Sequence, residues 1–256
     1  MRRLAILALG LAVLAGCGDD DDSGGASTES SAKPRLVVSA ASSMTEALTA
    51  CASNYTDASV KLSFAGSDEL AAQIRQGVPV DVFASANTKL PDELEQDGLL
   101  DKPVEFATNQ LVIAVPADSE IASIDQLSKP GVKIAMGSES VPIGSYTREV
   151  LSRLPAGQEK AILANVKSEE PDVKGIVGKL TQGAVDAGFV YVTDVNATSG
   201  DLEAIDLPEK LQPQVTYAAG VVTKAKQPEA AADYVEGLRE GTCADALQQA
   251  GFGDVP

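Results

Sequence analysis

Short apolar runs alternate with helix-type patterns along the chain, and this alternation limits the folds that the sequence can adopt. Strand-like runs rich in β-branched residues cover 36–38, 60–65, 80–84, 111–115, 133–136, 187–191 and 215–223. Helical spacing of apolar residues predicts helices at 44–51, 70–74, 145–154, 173–181, 228–238 and 243–250. Such an order predicts an α/β protein with mostly parallel sheets flanked by helices.

Two of these strand-like segments are long, apolar and far apart in the sequence. The segments at 111–115 and 215–223 are therefore candidates for the connections between two lobes. With two such crossovers, the first lobe takes both ends of the folded chain. We expect a first lobe of residues 35–112 plus 219–256 and a second lobe of residues 113–218.

The first 17 residues have the features of an export signal. Two arginines precede an apolar run at 4–14 that is too short to cross a bilayer as a helix. The small residues before Cys17 resemble a bacterial lipoprotein signal, and residues 18–34 are polar enough to form a flexible tether. A secretory signal with a chance cysteine is the alternative. We expect an extracytoplasmic protein that is anchored to the cell membrane by lipid at Cys17.

Charge and composition exclude several classes of function. The chain has 20 Lys and Arg against 37 Asp and Glu, so it lacks the basic face that nucleic-acid binding needs. It contains no histidine, which excludes Ser-His-Asp catalysis, Cys-His catalysis and histidine metal sites. A serine hydrolase using Ser43 or Ser67 is also not expected, since no Ser-x-x-Lys motif begins at either residue. We predict that the protein is not an enzyme.

Two cysteines remain if Cys17 carries lipid. An even pair in an exported protein favours one disulfide, between Cys51 and Cys243. The predicted topology supports this pairing because both residues belong to the first lobe. Two buried free thiols are the alternative.

Four strand-to-helix turns carry small or polar residues where a helix begins. They lie at 39–46, 64–70, 141–146 and 170–175. A helix N-terminus presents unpaired N–H groups and a partial positive charge, which suits an anion. Ser43 and Glu46 also fit a capping box, and Ser67 lies at the next helix start. Ordinary helix caps are therefore the alternative interpretation of both serines.

The same segments, in their order and spacing, resemble the periplasmic molybdate-binding protein family from Leu36 to Phe252. The matching pieces are Ala40–Leu48, Phe64–Ser67, Pro79–Ala86, Val141–Tyr146, Asp172–Gly175 and Gly188–Asp194. The resemblance implies the type II periplasmic-binding-protein fold. It also implies a monomer that binds molybdate, and tungstate with it, and delivers the anion to the membrane permease of an ABC transporter without a cofactor.

The resemblance further implies which residues hold the oxyanion. They are the hydroxyls of Ser43, Ser67 and Tyr191 and the backbone N–H groups of Ser43, Ser67, Ile143 and Val173. Such a site suits a dianion without a proton, and molybdenum has no direct protein ligand. Ile143 departs from the alanine common in the family. The alternatives are a packing role for Tyr191, or a same-fold lipoprotein that binds sulfate or a small organic acid or acts as a sensor.

Overall fold

The computed structural model describes Lys33–Pro256, which form two five-stranded sheets with helices packed around them. The strands are β1 (Arg35–Ala41), β2 (Ser59–Ala65), β3 (Val82–Ser85), β4 (Val104–Asn109), β5 (Leu111–Pro116), β6 (Ile134–Gly137), β7 (Val166–Glu170), β8 (Ala187–Tyr191), β9 (Leu202–Asp206) and β10 (Val215–Val221). The helices are α1 (Thr45–Asn54), α2 (Ser67–Arg75), α3 (Lys89–Gln96), α4 (Pro142–Ser152), α5 (Ala156–Asn165), α6 (Val173–Thr181), α7 (Val192–Asn196), α8 (Pro228–Gly237) and α9 (Thr242–Ala250).

The predictions for the export signal and for lipid at Cys17 lie outside the described residues, as does most of the tether. Within Lys33–Pro256, no helix has both the length and the apolar character needed to cross a membrane.

Each sheet is mixed rather than mostly parallel. The first has the order β2-β1-β3-β10-β4, and the second has the order β7-β6-β8-β5-β9. In each sheet, two neighbouring pairs are parallel and two are antiparallel. The antiparallel pairs all involve the strand that first enters a sheet after a crossover, either β5 or β10. The predicted two-sheet α/β fold is thus confirmed, with the crossover strands running against their neighbours.

The chain passes between the sheets twice. The first crossing lies between Asn109 and Leu111, and the second lies between Asp206 and Val215. We call the first sheet with α1–α3, α8 and α9 the first lobe, and the second sheet with α4–α7 the second lobe. The residue bounds 35–112 plus 219–256 and 113–218 stay a prediction.

The first helix packs as its apolar pattern predicts. Met44, Leu48 and Cys51 are fully buried on one side of α1 and of the turn before it. Cys243 is also fully buried, near the start of α9. The structure joins Cys51 to Cys243 as a disulfide with their Cα atoms 4.7 Å apart. Both chain ends of the first lobe are therefore held together at this point, and formation of the bond in the protein stays a prediction.

Candidate binding site between the lobes

A small cavity of about 10 Å³, room for about one water-sized sphere, lies where the two lobes meet. All five residues that the sequence predicts as ligand contacts line this cavity: Ser43, Ser67, Ile143, Val173 and Tyr191. The rest of the wall is small or apolar, apart from Ser42 and Asp172, and no Lys or Arg of the described part of the chain lines it. The described residues thus bring the predicted contacts together from both lobes.

Ser67 is the first residue of α2, and Gly66 before it is the N-cap. Its side chain is buried, and its Oγ accepts a hydrogen bond of 3.1 Å from the backbone N–H of Ala86. This bond uses an acceptor site of the hydroxyl and leaves its hydrogen free to donate. Ser67 is therefore a poised donor in the cavity rather than the helix cap.

The predicted capping box at Ser43 is wrong. Ser43 lies inside a short 3-10 turn, Ser42–Met44, and α1 begins only after that turn. The turn makes no side-chain cap, and Glu46 instead forms an ion pair with Lys174. Because α1 starts one residue later than the pattern suggested, with Met44 rather than Ser43 as its N-cap, the Ser43 hydroxyl is available for another partner.

That partner is Tyr217 on β10, whose Oη lies 2.9 Å from Ser43 Oγ. The Asn109 side-chain amide donates to the same Tyr217 oxygen at 3.3 Å. An amide N–H can only donate, so Tyr217 accepts from Asn109, whereas either hydroxyl can donate in the bond between Ser43 and Tyr217. When Tyr217 donates to Ser43, the Ser43 hydrogen is left for an acceptor in the cavity. No local pattern in the sequence indicates Tyr217 as this partner, since it lies 174 residues from Ser43.

The second lobe contributes two helix N-termini. Helix α4 begins at Pro142, so Ile143 is its second residue, and Val173 is the first residue of α6. The N–H groups of the first turn of a helix have no partner inside that helix. Asp172 caps α6 by accepting from the N–H of Gly175 at 3.0 Å. One oxygen of this carboxylate therefore already has a hydrogen-bond donor within the second lobe. The N-termini of α2, α4 and α6 thus border one small cavity.

Two close approaches fix the shape of this region. A Cβ at Gly144 would lie 1.8 Å from the backbone oxygen of Ser138, so the start of α4 sits directly on the loop after β6. A Cβ at Gly66 would lie 2.4 Å from the backbone oxygen of Pro171. Because Gly66 belongs to the first lobe and Pro171 to the second, the described form is a closed one.

Ile143 is buried, and its Cγ2 would lie 2.6 Å from a Cβ placed at Gly137. Its side chain therefore packs over Gly137 at the end of β6, where glycine leaves room for it. The larger residue at position 143 is accommodated by this packing within the second lobe.

Tyr191 ends β8 and is 1 % exposed. Its hydroxyl has no hydrogen-bond partner among the described residues, and its ring packs edge-on against Tyr217 with centroids 6.0 Å apart. Burial, together with the nearby Tyr217, raises the pKa of Tyr191 well above its usual value, so the hydroxyl stays protonated. A buried donor without a partner costs free energy, which an acceptor in the cavity would recover.

A cluster of three charged residues lies beside the cavity. The Lys174 Nζ is 2.7 Å from Glu46 Oε2 and 3.1 Å from Oδ1 of the fully buried Asp194. Burial raises the pKa of Asp194 to about 6, although Lys174 opposes this shift. Asp194 also accepts from the backbone N–H of Tyr191 at 3.4 Å. The sequence analysis assigned no role to Lys174 or Asp194 and assigned Glu46 only to the capping box; their signal in the sequence is position, beside or three residues after a predicted contact.

Comparison with known proteins agrees with this geometry. Residues 36–253 match the family described as bacterial extracellular solute-binding protein. The molybdate-binding protein ModA of Mycobacterium tuberculosis is 32% identical over 254 residues, covering 96% of this chain and 95% of the relative. The substrate-binding domain of a putative molybdenum ABC transporter from Clostridium difficile is 29% identical, with a TM-score of 0.67 over 88% of this chain and 100% of that one.

The fold is also shared with a protein named for another anion. The sulfate-binding protein SubI of Mycobacterium tuberculosis has a TM-score of 0.76 at 17% identity, over 87% of each chain. At this identity, the likeness shows the fold alone. The match over nearly all described residues and the identity to ModA confirm the resemblance seen in the motifs: this chain belongs to the bacterial extracellular solute-binding proteins, in the family of molybdate-binding proteins.

Proposed function

We propose that the protein binds molybdate in the cavity between its lobes, and that it binds tungstate by the same contacts. The observation that carries this proposal is the wall of the cavity. Three helix N-termini and three hydroxyls border it, and among residues 33–256 one of those hydroxyls has no hydrogen-bond partner and no cationic side chain lines the cavity. Such a wall supplies many donors and suits a small anion that carries no proton.

In this proposal the Ser43, Ser67 and Tyr191 hydroxyls donate to the oxyanion. The N–H groups of Ser43, Ser67, Ile143 and Val173 complete the cage. Ser43 and Ser67 come from the first lobe and the others from the second. Only the closed form supplies all the donors, so binding favours closure.

The names of the relatives support the wider role. A substrate-binding protein of an ABC transporter acts outside the cytoplasmic membrane and passes its ligand to the permease. We propose this role here, with the protein acting as a monomer held at the membrane by lipid on Cys17. Replacing Cys17 with serine should release the protein from the membrane fraction of a bacterial host, and unchanged retention would contradict the anchor.

Sulfate is the second candidate ligand, because the sulfate-binding protein SubI shares the fold. Both anions are tetrahedral dianions, so the chemistry of the donors does not separate them. Separation depends on size: the smaller sulfate would make longer hydrogen bonds in a cage shaped for molybdate. Asp172 in the wall makes phosphate a useful third probe, since a protonated oxyanion needs an acceptor.

Calorimetric titration of the full chain with molybdate, tungstate, sulfate and phosphate tests the ligand. Ser43→Ala and Ser67→Ala should each weaken molybdate binding about tenfold to a hundredfold, the range for losing a hydrogen bond to a charged group. Ser63→Ala, on an exposed position of β2, is the matched control and should leave the affinity unchanged. Equal binding of sulfate and molybdate would overturn the specificity, and wild-type affinity in both cavity variants would overturn the site.

A further inference from the structure

Lys174 links the two lobes beside the cavity without lining it. Its ammonium group contacts Glu46 of the first lobe at 2.7 and 2.9 Å and Asp194 of the second lobe at 3.1 Å. Among the ion pairs of residues 33–256, Lys174–Glu46 is the one that joins the lobes. The Lys174 side chain is 28% exposed and the Asp194 side chain is fully buried, so much of this cluster is shielded from water.

Each member of the cluster belongs to a different turn of the proposed site. Glu46 lies three residues after Ser43, in the first turn of α1. Lys174 directly follows Val173 at the start of α6. Asp194 lies three residues after Tyr191 and accepts its backbone N–H. One ammonium group therefore ties together the three turns that carry Ser43, Val173 and Tyr191.

We propose that Lys174 is a positioning residue for anion capture, which holds the cleft closed by bridging Glu46 and Asp194. The inference rests on the proposed function of the cavity and adds to it a residue outside the ligand shell. It assigns Lys174 no contact with the anion. Its effect passes through the placement of the turns that make those contacts.

The charge of the cluster predicts which rate constant responds. One ammonium and two carboxylates together carry a net charge of −1 when ionised, so the cluster does not attract an incoming dianion. Steering of ligands by charge acts mainly on association, whereas a contact made only in the closed form acts on dissociation. Breaking the bridge should therefore speed anion release and leave association nearly unchanged.

Glu46→Gln tests the bridge directly, because the exposed Glu46 can lose its charge without leaving Asp194 unpaired. Stopped-flow measurement with sodium molybdate should show dissociation about three- to tenfold faster, with association within about twofold of wild type. Glu169→Gln is the matched control. Glu169 is 50% exposed against 51% for Glu46, and it pairs with Arg148 at the same 2.7 Å, but within one lobe. Equal dissociation rates in the two variants would overturn the proposal.

Lys174→Arg serves as the conservative variant. Arginine keeps the positive charge and both carboxylate partners, so its dissociation rate should stay within about threefold of wild type. A rise in the dissociation rate as large as that of Glu46→Gln would count against the bridge. A loss of affinity that comes only from slower association would also count against it.

Hydrogen exchange of the unliganded proteins separates this proposal from the proposed function. In Glu46→Gln, amides at 42–48 and 172–176 should exchange faster than in Glu169→Gln, because these segments meet across the cleft. A wild-type protein that binds none of the oxyanions would reject the proposed function. Faster exchange in Glu46→Gln would then still support the bridge, and identical exchange would reject it.

Discussion

Tyr191 and Tyr234 are both fully buried, and the hydroxyl of each lacks a hydrogen-bond partner among the described residues. They differ in location: Tyr191 lines the cavity, whereas Tyr234 is a residue of α8 and packs against Tyr55. An unpaired buried hydroxyl costs free energy in either place. Only at Tyr191 can a ligand recover that cost, which makes the two residues a natural comparison.

Tyr191→Phe should therefore separate binding from stability. Without ligand, its melting temperature should equal or exceed that of wild type, because no protein hydrogen bond is lost. Its molybdate affinity should fall about tenfold to a hundredfold. Tyr234→Phe should show the same behaviour in melting and no change in calorimetric affinity. If Tyr191→Phe binds molybdate as wild type does, Tyr191 has only a packing role.

Asp194 gives the unliganded protein a pH-dependent stability. Its pKa in the folded state is raised from 3.8 to about 6, by burial first, so the folded protein retains a proton that the unfolded chain loses. This contribution to stability is present below about pH 4 and is lost as the pH rises through 6.

Urea unfolding at pH 4 and pH 7 checks this effect. Relative to Asp194→Asn, the wild-type free energy of unfolding should fall by about 2 to 3 kcal/mol between the two values. Asp233→Asn, which removes a carboxylate from the exposed face of α8, is the control. A difference between wild type and Asp194→Asn that stays constant with pH would contradict the argument.

For single residues, the sequence indicated the side chains expected to contact the ligand, but it did not indicate the residues that hold those side chains in place. Local pattern placed Ser43 and Ser67 at helix starts, the family resemblance implied that they share a site with Tyr191, and all three residues line one cavity. The partners of these residues come from distant segments: Tyr217 lies 174 residues from Ser43. Such contacts depend on the packing of whole lobes, which no local pattern reports.

Among the elements, the strands that the sequence analysis missed share one property. The apolar runs identified β1, β3, β5, β6, β8 and β10, which are central strands, and also β2. The missed strands β4, β7 and β9 all lie at sheet edges. Edge strands tolerate polar and charged residues, as in the sequence of Val166–Glu170, where Lys and two Glu occur within five residues. A search for apolar runs in the sequence therefore detects buried strands and misses edge strands that are partly exposed to water.

The disulfide between helices α1 and α9 should contribute to the stability of the fold. The loop that it closes has a sequence separation of 192 residues, so breaking it should lower the free energy of unfolding by about 5 kcal/mol in the chain-entropy model. Chemical unfolding of the oxidised and reduced proteins measures this change. Non-reducing mass spectrometry provides the direct check, and two free thiols at Cys51 and Cys243 would refute the bond.

For the whole molecule, Gly66 tests whether closure and binding are coupled. Its backbone has φ −60, which any residue can adopt, so Gly66→Ala should leave the first lobe folded. The added Cβ would lie 2.4 Å from the Pro171 oxygen across the cleft and should keep the lobes apart. We expect molybdate affinity to fall at least about tenfold while the unliganded melting temperature stays near wild type.

Gly157→Ala is the control for that experiment. Gly157 lies in α5 with nothing within 4 Å of an added Cβ, so alanine should stabilise the helix by about 0.5 to 1 kcal/mol and leave binding alone. Calorimetry with melting of both variants completes the comparison. Unchanged affinity in Gly66→Ala would show that the anion binds without the closed form.

Because the chain crosses between the sheets twice, the two sheets are completed at different times during synthesis. The second sheet is built from one unbroken stretch, Leu111–Asp206. The first sheet is incomplete until β10, which lies between β3 and β4, has been synthesised. Synthesis proceeds from the N-terminus, so β3 and β4 are made long before the strand that covers their facing edges. Unpaired strand edges are templates for association with other chains. The newly made protein is therefore most exposed to aggregation until residues 215–256 arrive, and a chain cut short before Val215 keeps both edges open.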